Sequence, residues 1–140
     1  MAMQGYRLLV DEALDQWVGA PPSHVVIQAG RGGIAAAMSA HTRVRLGAGV
    51  RLVVVGPEAR PNLLAWQELE RAAFAHVEIG DAATTDAVRR LSAEGVGASA
   101  SGAAGAAGLF AVATDPAARA ALELRRESRV LLVNTEGSCL

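Results

Sequence analysis

The chain has 140 residues, 51% of them apolar, and a formal net charge of −1, which suits one folded domain over residues 1–140 and excludes a disordered segment. Its arginines are scattered, so neither a nucleic-acid-binding stripe nor a solvating acidic tail is expected. The single cysteine, Cys139, excludes an intrachain disulfide and a thiolate metal cluster and suits a reducing, cytoplasmic setting. All thirteen basic residues are arginine, so no lysine is present to bind a carbonyl compound as a Schiff base.

The first residues carry Arg7, Asp11 and Glu12 before any long apolar run, and neither a signal peptide nor a membrane span is expected there. Leu8, Leu9, Ala13, Leu14 and Trp17 recur at helical spacing until Gly19, Pro21 and Pro22 stop the helix. Residues 24–28 (HVVIQ) predict a strand that ends in a glycine-rich turn, and residues 34–46 a helix. Residues 51–55 (RLVVV) predict a second buried strand closed by Gly56 and Pro57, residues 63–75 a helix, and residues 76–79 a short third strand. Asp81 opens a helix to about residue 94, its carboxylate complementing the free N–H groups of the first turn.

Residues 95–108 are almost all Gly, Ala and Ser, a composition shared by flexible linkers and by helices packed too closely for larger side chains. The larger apolar groups that follow favour one helix over residues 101–113. Pro116 opens a short helix to about residue 126, and residues 129–133 (RVLLV) predict the last strand. Strands alternating with helices imply a three-layer α/β fold with a mostly parallel sheet.

Ligands of such sheets collect at the carboxyl ends of the strands, and two turns there stand out. Ala29, Gly30, Arg31, Gly32 and Gly33 form a turn in which backbone N–H groups and the following helix dipole would converge on a phosphate. The same glycines would equally serve a tight turn needing them only for its dihedral angles. Gly30, Gly32 and Ala35 also match a dinucleotide-binding pattern. That reading lacks its acid after the second strand, where Gly56 stands and Glu58 comes only beyond Pro57. The second turn is residues 134–137, where the Thr135 hydroxyl can donate to or accept from a ligand heteroatom, or can belong to an ordinary polar turn. Ser99 and Ser101 lack the closing glycine and the His and acid of a nucleophile elbow. His24, His41 and His76 are far apart and read as surface or edge residues rather than metal ligands. No catalytic residue and no metal site is expected.

Six segments, in order, resemble the C-terminal portion of the 2,3-diaminopropionate ammonia-lyase family. They are Met3-Gln4-Gly5-Tyr6 with Asp11-Glu12-Ala13, Gln28-Ala29-Gly30-x-Gly32-Gly33, Val53-Val54-Val55 before Pro57, Leu64-Ala65-Trp66, Ser101-Gly102-Ala103-Ala104-Gly105, and Leu132-Val133-Asn134-Thr135-Glu136-Gly137. The family consists of fold type II enzymes, like the tryptophan synthase β subunit, which use pyridoxal phosphate to eliminate ammonia from diaminopropionate, leaving pyruvate. The resemblance implies a partial fold type II architecture. It further implies that Gly30, Gly32 and Gly33 cradle the cofactor phosphate and that Thr135 faces the pyridine nitrogen.

The departures are chemical. In the family the Schiff-base lysine and the proton-transferring acids lie upstream of the Met-Gln-Gly-Tyr segment; a Cys-Gly-Glu segment lies where this chain has only residues 58–63; and Glu usually stands where this chain has Ala100. The expectation is therefore a fragment or degenerate member of the lyase family, inactive alone, that keeps the cofactor-phosphate side without covalent attachment through lysine. The alternatives are a pseudoenzyme binding or regulatory module with a residual phosphate site and, more remotely, an NAD-type Rossmann domain. The amino acid substrate would belong to the complete enzyme. No membrane or nucleic-acid partner is expected. Self-association or a complementary lobe would cover apolar surface, including the small-residue helix at residues 101–113.

Overall fold

A computed structural model describes residues 2–29, 33–56 and 75–137. Its elements, in chain order, are α1 (Ala2–Asp15), β1 (His24–Gln28), α2 (Gly33–Leu46), β2 (Arg51–Gly56), β3 (Ala75–Glu78), α3 (Asp81–Ala93), α4 (Ala104–Ala113), α5 (Pro116–Ala121) and β4 (Val130–Leu132). The helix expected at residues 63–75 lies outside the described residues except at Ala75, which begins β3.

The four strands form one parallel sheet in the order β3-β2-β1-β4. Every residue of β1 is buried, as are the four central residues of β2. That is why both strands read as continuous apolar runs: helices cover both faces of a parallel sheet. Alternate side chains point to opposite faces. Val25, Ile27, Leu52 and Val54 meet Val10 of α1 and Ala35, Ala36 and Met38 of α2. Val26, Val53 and Val55 meet Val112 of α4 and Leu122 just beyond α5. Helix α3 packs outside α4 through alanines, among them Ala87, Ala103, Ala106 and Ala107.

From Ala104 onward the Gly/Ala/Ser segment is a closely packed helix rather than a linker, while residues 95–103 are turns and irregular chain. A Cβ on Gly108 would lie 2.5 Å from Val55 Cγ2, and one on Gly105 would lie 3.6 Å from both Gln28 Oε1 and Val26 Cγ1. The helix begins at Ala104, three residues later than expected, because a turn built on Ser99 takes up the preceding N–H groups. Gly102 N donates to Ser99 Oγ at 3.1 Å and Ala103 N to Ser99 O at 2.9 Å. Helix α4 buries five of its ten residues, Gly105, Ala106, Ala107, Gly108 and Val112, and exposes Ala111 and Ala113. It lies on the sheet as the inner helix of its layer.

Helix α5 ends at Ala121, short of residue 126. Asp115 caps its start, accepting from Ala117 N and Ala118 N. Its end is a Schellman motif, with Leu124 N donating to Arg119 O and Glu123 N to Ala120 O. Glu123, at φ 53°, holds the left-handed position usually given to glycine, while its carboxylate pairs with Arg51. The chain turns there because Leu122, 6% exposed, must enter the core.

Candidate ligand site at the carboxyl ends of the strands

Because all four strands run parallel, their carboxyl ends open on one side of the sheet. A cavity of about 410 Å³ lies there, lined by groups that include Gln28, Ala29, Asp81, Thr84, Thr85 and Ser101. Its chemistry is mixed, with Val55, Ile79 and Ala104 as apolar wall and amide, hydroxyl and carboxylate groups at the polar side. Asp81 opens α3, so its carboxylate and the first-turn N–H groups share that end of the helix.

The strands that precede the two turns singled out in the sequence end side by side here. Strands β1 and β4 are neighbours, and Gln28 Nε2 donates to Thr135 Oγ1 at 3.2 Å. Gln28 is 9% exposed, and its Oε1 is buried with no hydrogen-bond partner among the described residues. Ala29 lines the cavity, but its N–H is not free for a ligand, since it donates to Val55 O at 2.7 Å. Gly33 is the first residue of α2, so the N-terminus of that helix follows the turn. Gly30, Arg31 and Gly32 lie outside the described residues.

A latch fixes the β4 turn against the segment before α4. Ser99 Oγ donates to Glu136 Oε2 at 2.6 Å, Ser99 N to Glu136 O at 3.2 Å, and Asn134 Nδ2 to Gly97 O at 3.1 Å. A Cβ on Gly102 would collide with Asn134 Oδ1 and with the Glu136 carbonyl. Ser99 is thus a structural donor. Neither it nor Gln28 carries a local signal of these roles, because the partners stand 37 and 107 positions away.

The histidines have three different settings. His24 corrects the expectation of a surface residue, being 2% exposed at the start of β1. Its Nε2–H donates to the Leu122 carbonyl at 2.8 Å and its Nδ1 lies 2.8 Å from Ser23 Oγ, so two polar partners make its burial tolerable. His41 of α2 pairs with Asp11 of α1 at 2.8 Å, beside Arg45, which pairs with Asp11 and Asp15. The hydrogen bond from His41 first, and that from Arg45 second, hold the Asp11 carboxyl below the ordinary carboxylate range. His76 is exposed on edge strand β3. Among the described residues no three His, Cys, Asp or Glu side chains come together as a metal site, and no helix is long and apolar enough to cross a membrane.

A dinucleotide reading meets a steric obstacle. A Cβ on Gly56 would lie 3.1 Å from the Ala29 carbonyl oxygen, so the end of β2 has little room for the side chain that would hold a ribose. A pyridoxal phosphate-sized ligand fits better. The cavity has the volume, and Gln28 at its wall carries a buried oxygen with no hydrogen-bond partner among the described residues.

A four-stranded parallel sheet flanked by helices, with its cavity at the strand ends, places the chain in the α/β class and gives it part of the fold of the fold type II pyridoxal phosphate enzymes. More particularly, it is similar to part of the diaminopropionate ammonia lyase of Escherichia coli. The apo crystal structure of that enzyme matches with a TM-score of 0.86 and 30% identity, over 96% of this chain and 40% of that one. The structure of the same enzyme in complex with D-serine matches with a TM-score of 0.88 and 26% identity, over 96% and 44%. Threonine deaminase isoform 2 of Solanum lycopersicum shares the fold, at a TM-score of 0.76 and 14% identity over 99% of this chain and 46% of that one. The Escherichia coli enzyme has also been solved in complex with an aminoacrylate–pyridoxal phosphate azomethine intermediate. The chain therefore spans 40 to 44% of the lyase structures it matches. No protein-family model and no curated protein sequence matches it.

Proposed function

We propose that the chain is a fragment or degenerate form of a diaminopropionate ammonia lyase, which binds pyridoxal phosphate non-covalently and has no elimination activity of its own. The observation that carries this reading is the Gln28–Thr135 contact. It ties the carboxyl end of β1 to the polar turn after β4, and Gln28 also lines a cavity of about 410 Å³. When bound, the cofactor draws electrons from the α-carbon of an amino acid. This chain's part is to hold and orient it. Gly30, Gly32 and Gly33 would present backbone N–H groups to the phosphate at the N-terminus of α2, and Thr135 would meet the ring nitrogen. Asp81, at the cavity edge, would suit the ammonium group of an amino acid.

The absence of lysine leaves the chain without the residue that would attach the cofactor. This also supports a second reading, a pseudoenzyme module that keeps the anion site for binding or regulation. A lysine-bearing lobe is the partner that the first reading calls for, and the cytoplasm is the setting for either.

The test is binding of inorganic phosphate and pyridoxal phosphate to the purified chain by titration calorimetry. Gly32→Asp would put a Cβ and a negative charge where the phosphate approaches, and is expected to abolish binding of both. Equal affinities in wild type and variant would show that the glycines serve only a turn.

A further inference from the structure

At the wall of the strand-end cavity, donors are committed within the chain while acceptors are left over. The Ala29 N–H goes to Val55 O at 2.7 Å, the Gln28 amide to Thr135 Oγ1 at 3.2 Å and the Thr84 hydroxyl to Gly80 O at 3.2 Å. Having given its hydrogen, Thr84 Oγ1 has only lone pairs to offer. Gln28, 9% exposed, keeps a buried Oε1 with no donor among the described residues, and a buried acceptor without a partner is costly. The hydroxyls of Thr85 and Ser101, also at the wall, can donate or accept.

Among the described residues that line the cavity, Asp81 alone carries a charge. Its carboxylate makes no hydrogen bond or ion pair with another described residue. The arginines of α3 are engaged elsewhere: Arg89 and Arg90 pair with Asp86, and Arg90 also lies over the Phe110 ring at 4.3 Å. An unpaired carboxylate beside left-over acceptors suits a cation that carries several N–H groups, and opposes a second carboxylate.

We propose that Asp81 is a specificity-determining residue, which makes the site prefer an amino acid with a positively charged side chain. The inference rests on the proposed cofactor site and extends it from amino acids in general to basic ones. With the α-nitrogen held by the cofactor, the charge that tells one amino acid from another is on the side chain, and Asp81 is the group at the cavity that senses it. Its place in the first turn of α3 also complements the helix dipole. That role stabilises the fold and does not distinguish ligands, so the two roles separate by measurement.

The probes are inorganic phosphate and three reduced conjugates in which a phosphopyridoxyl group is bonded to the α-nitrogen of 2,3-diaminopropionate, alanine or aspartate, each titrated into the full chain by calorimetry. Wild type is expected to bind the diaminopropionate conjugate about threefold more tightly than the alanine conjugate, and the aspartate conjugate about threefold more weakly, the scale of a partly exposed ion pair. In Asp81→Asn the three affinities should converge, while Asp81→Glu should keep their order. Phosphate affinity should stay at the wild-type level in both variants and reports that the fold and the anion site persist. Equal affinities for the three conjugates in wild type, or an undiminished spread in Asp81→Asn, would overturn the specificity role and leave the cofactor site standing. A loss in Asp81→Asn that is the same for all three conjugates would show that Asp81 serves only the helix. Wild type that binds neither phosphate nor any conjugate would overturn the site itself, and this inference with it.

Discussion

Gly105 and Gly108 lie one helical turn apart on α4, both buried, yet they answer to different constraints. At Gly108 an added Cβ would press to 2.5 Å from Val55 Cγ2, on a strand that is buried on both faces and has no room to yield. At Gly105 the nearest atoms are 3.6 Å away, an ordinary contact. Replacing a mid-helix glycine with alanine otherwise gains about 0.5–1 kcal/mol. Gly105→Ala is therefore expected to raise the urea midpoint slightly. Gly108→Ala should lower stability by about 1–3 kcal/mol, since overpacking outweighs the gain in helix propensity. Equal effects of the two substitutions would mean that α4 stands off the sheet. The composition of the segment announced small residues, but only the approach of β2 distinguishes the glycine that must stay from the one that can change.

Helices α1 and α2 are joined by packing and by one charged cluster, in which Asp11 meets His41 and Arg45 while Asp15 meets Arg45. Because Asp11 titrates lower in the folded state than in the unfolded chain, its contribution to stability is fully present above the unfolded carboxylate value of about 3.9. That contribution is lost as pH falls through the lower folded value. Asp11→Asn should lower the thermal midpoint at pH 6, by a deficit that shrinks as pH falls below the unfolded carboxylate value of about 3.9. Added salt should shrink the difference at pH 6, since the cluster is partly exposed and screened. A variant deficit that stays constant as pH falls well below that value would show that Asp11 acts by packing rather than by charge. The helices themselves were legible from their apolar spacing. The pairing was not, because Asp11 and His41 are 30 positions apart and nothing in either helix alone says which face meets the other.

The whole molecule presents a ligand-sized cavity without the nucleophilic amine that the elimination reaction requires. All thirteen basic side chains are guanidinium groups, which stay protonated at working pH and do not condense with aldehydes as an amine does. The purified chain with added pyridoxal phosphate is expected to release pyruvate from 2,3-diaminopropionate at the rate of a protein-free control. Release well above that control, stopped by a carbonyl trap, would show that the chain carries out the elimination by another route. Binding and turnover are separable here for a physical reason. The proposed anion site would rest on backbone N–H groups and a helix dipole, which a parallel sheet supplies wherever glycines follow a strand, whereas turnover needs one particular side chain.

By itself the sequence determined the alternation of strands and helices, the parallel sheet that follows from it, the close-packed nature of the Gly/Ala/Ser helix, and the lack of a lysine. Each of these is local or compositional: a periodicity, a run, a turn residue, a count. The tertiary structure decided that β1 lies between β2 and β4, and the site depends on that order. It brings Gln28 to Thr135 and makes α4 an inner helix. It also places His24 in the interior, and Ser99 closes onto Glu136. Strand order is set by how all the apolar faces are buried at once, a condition on the whole chain that no window of neighbouring residues contains.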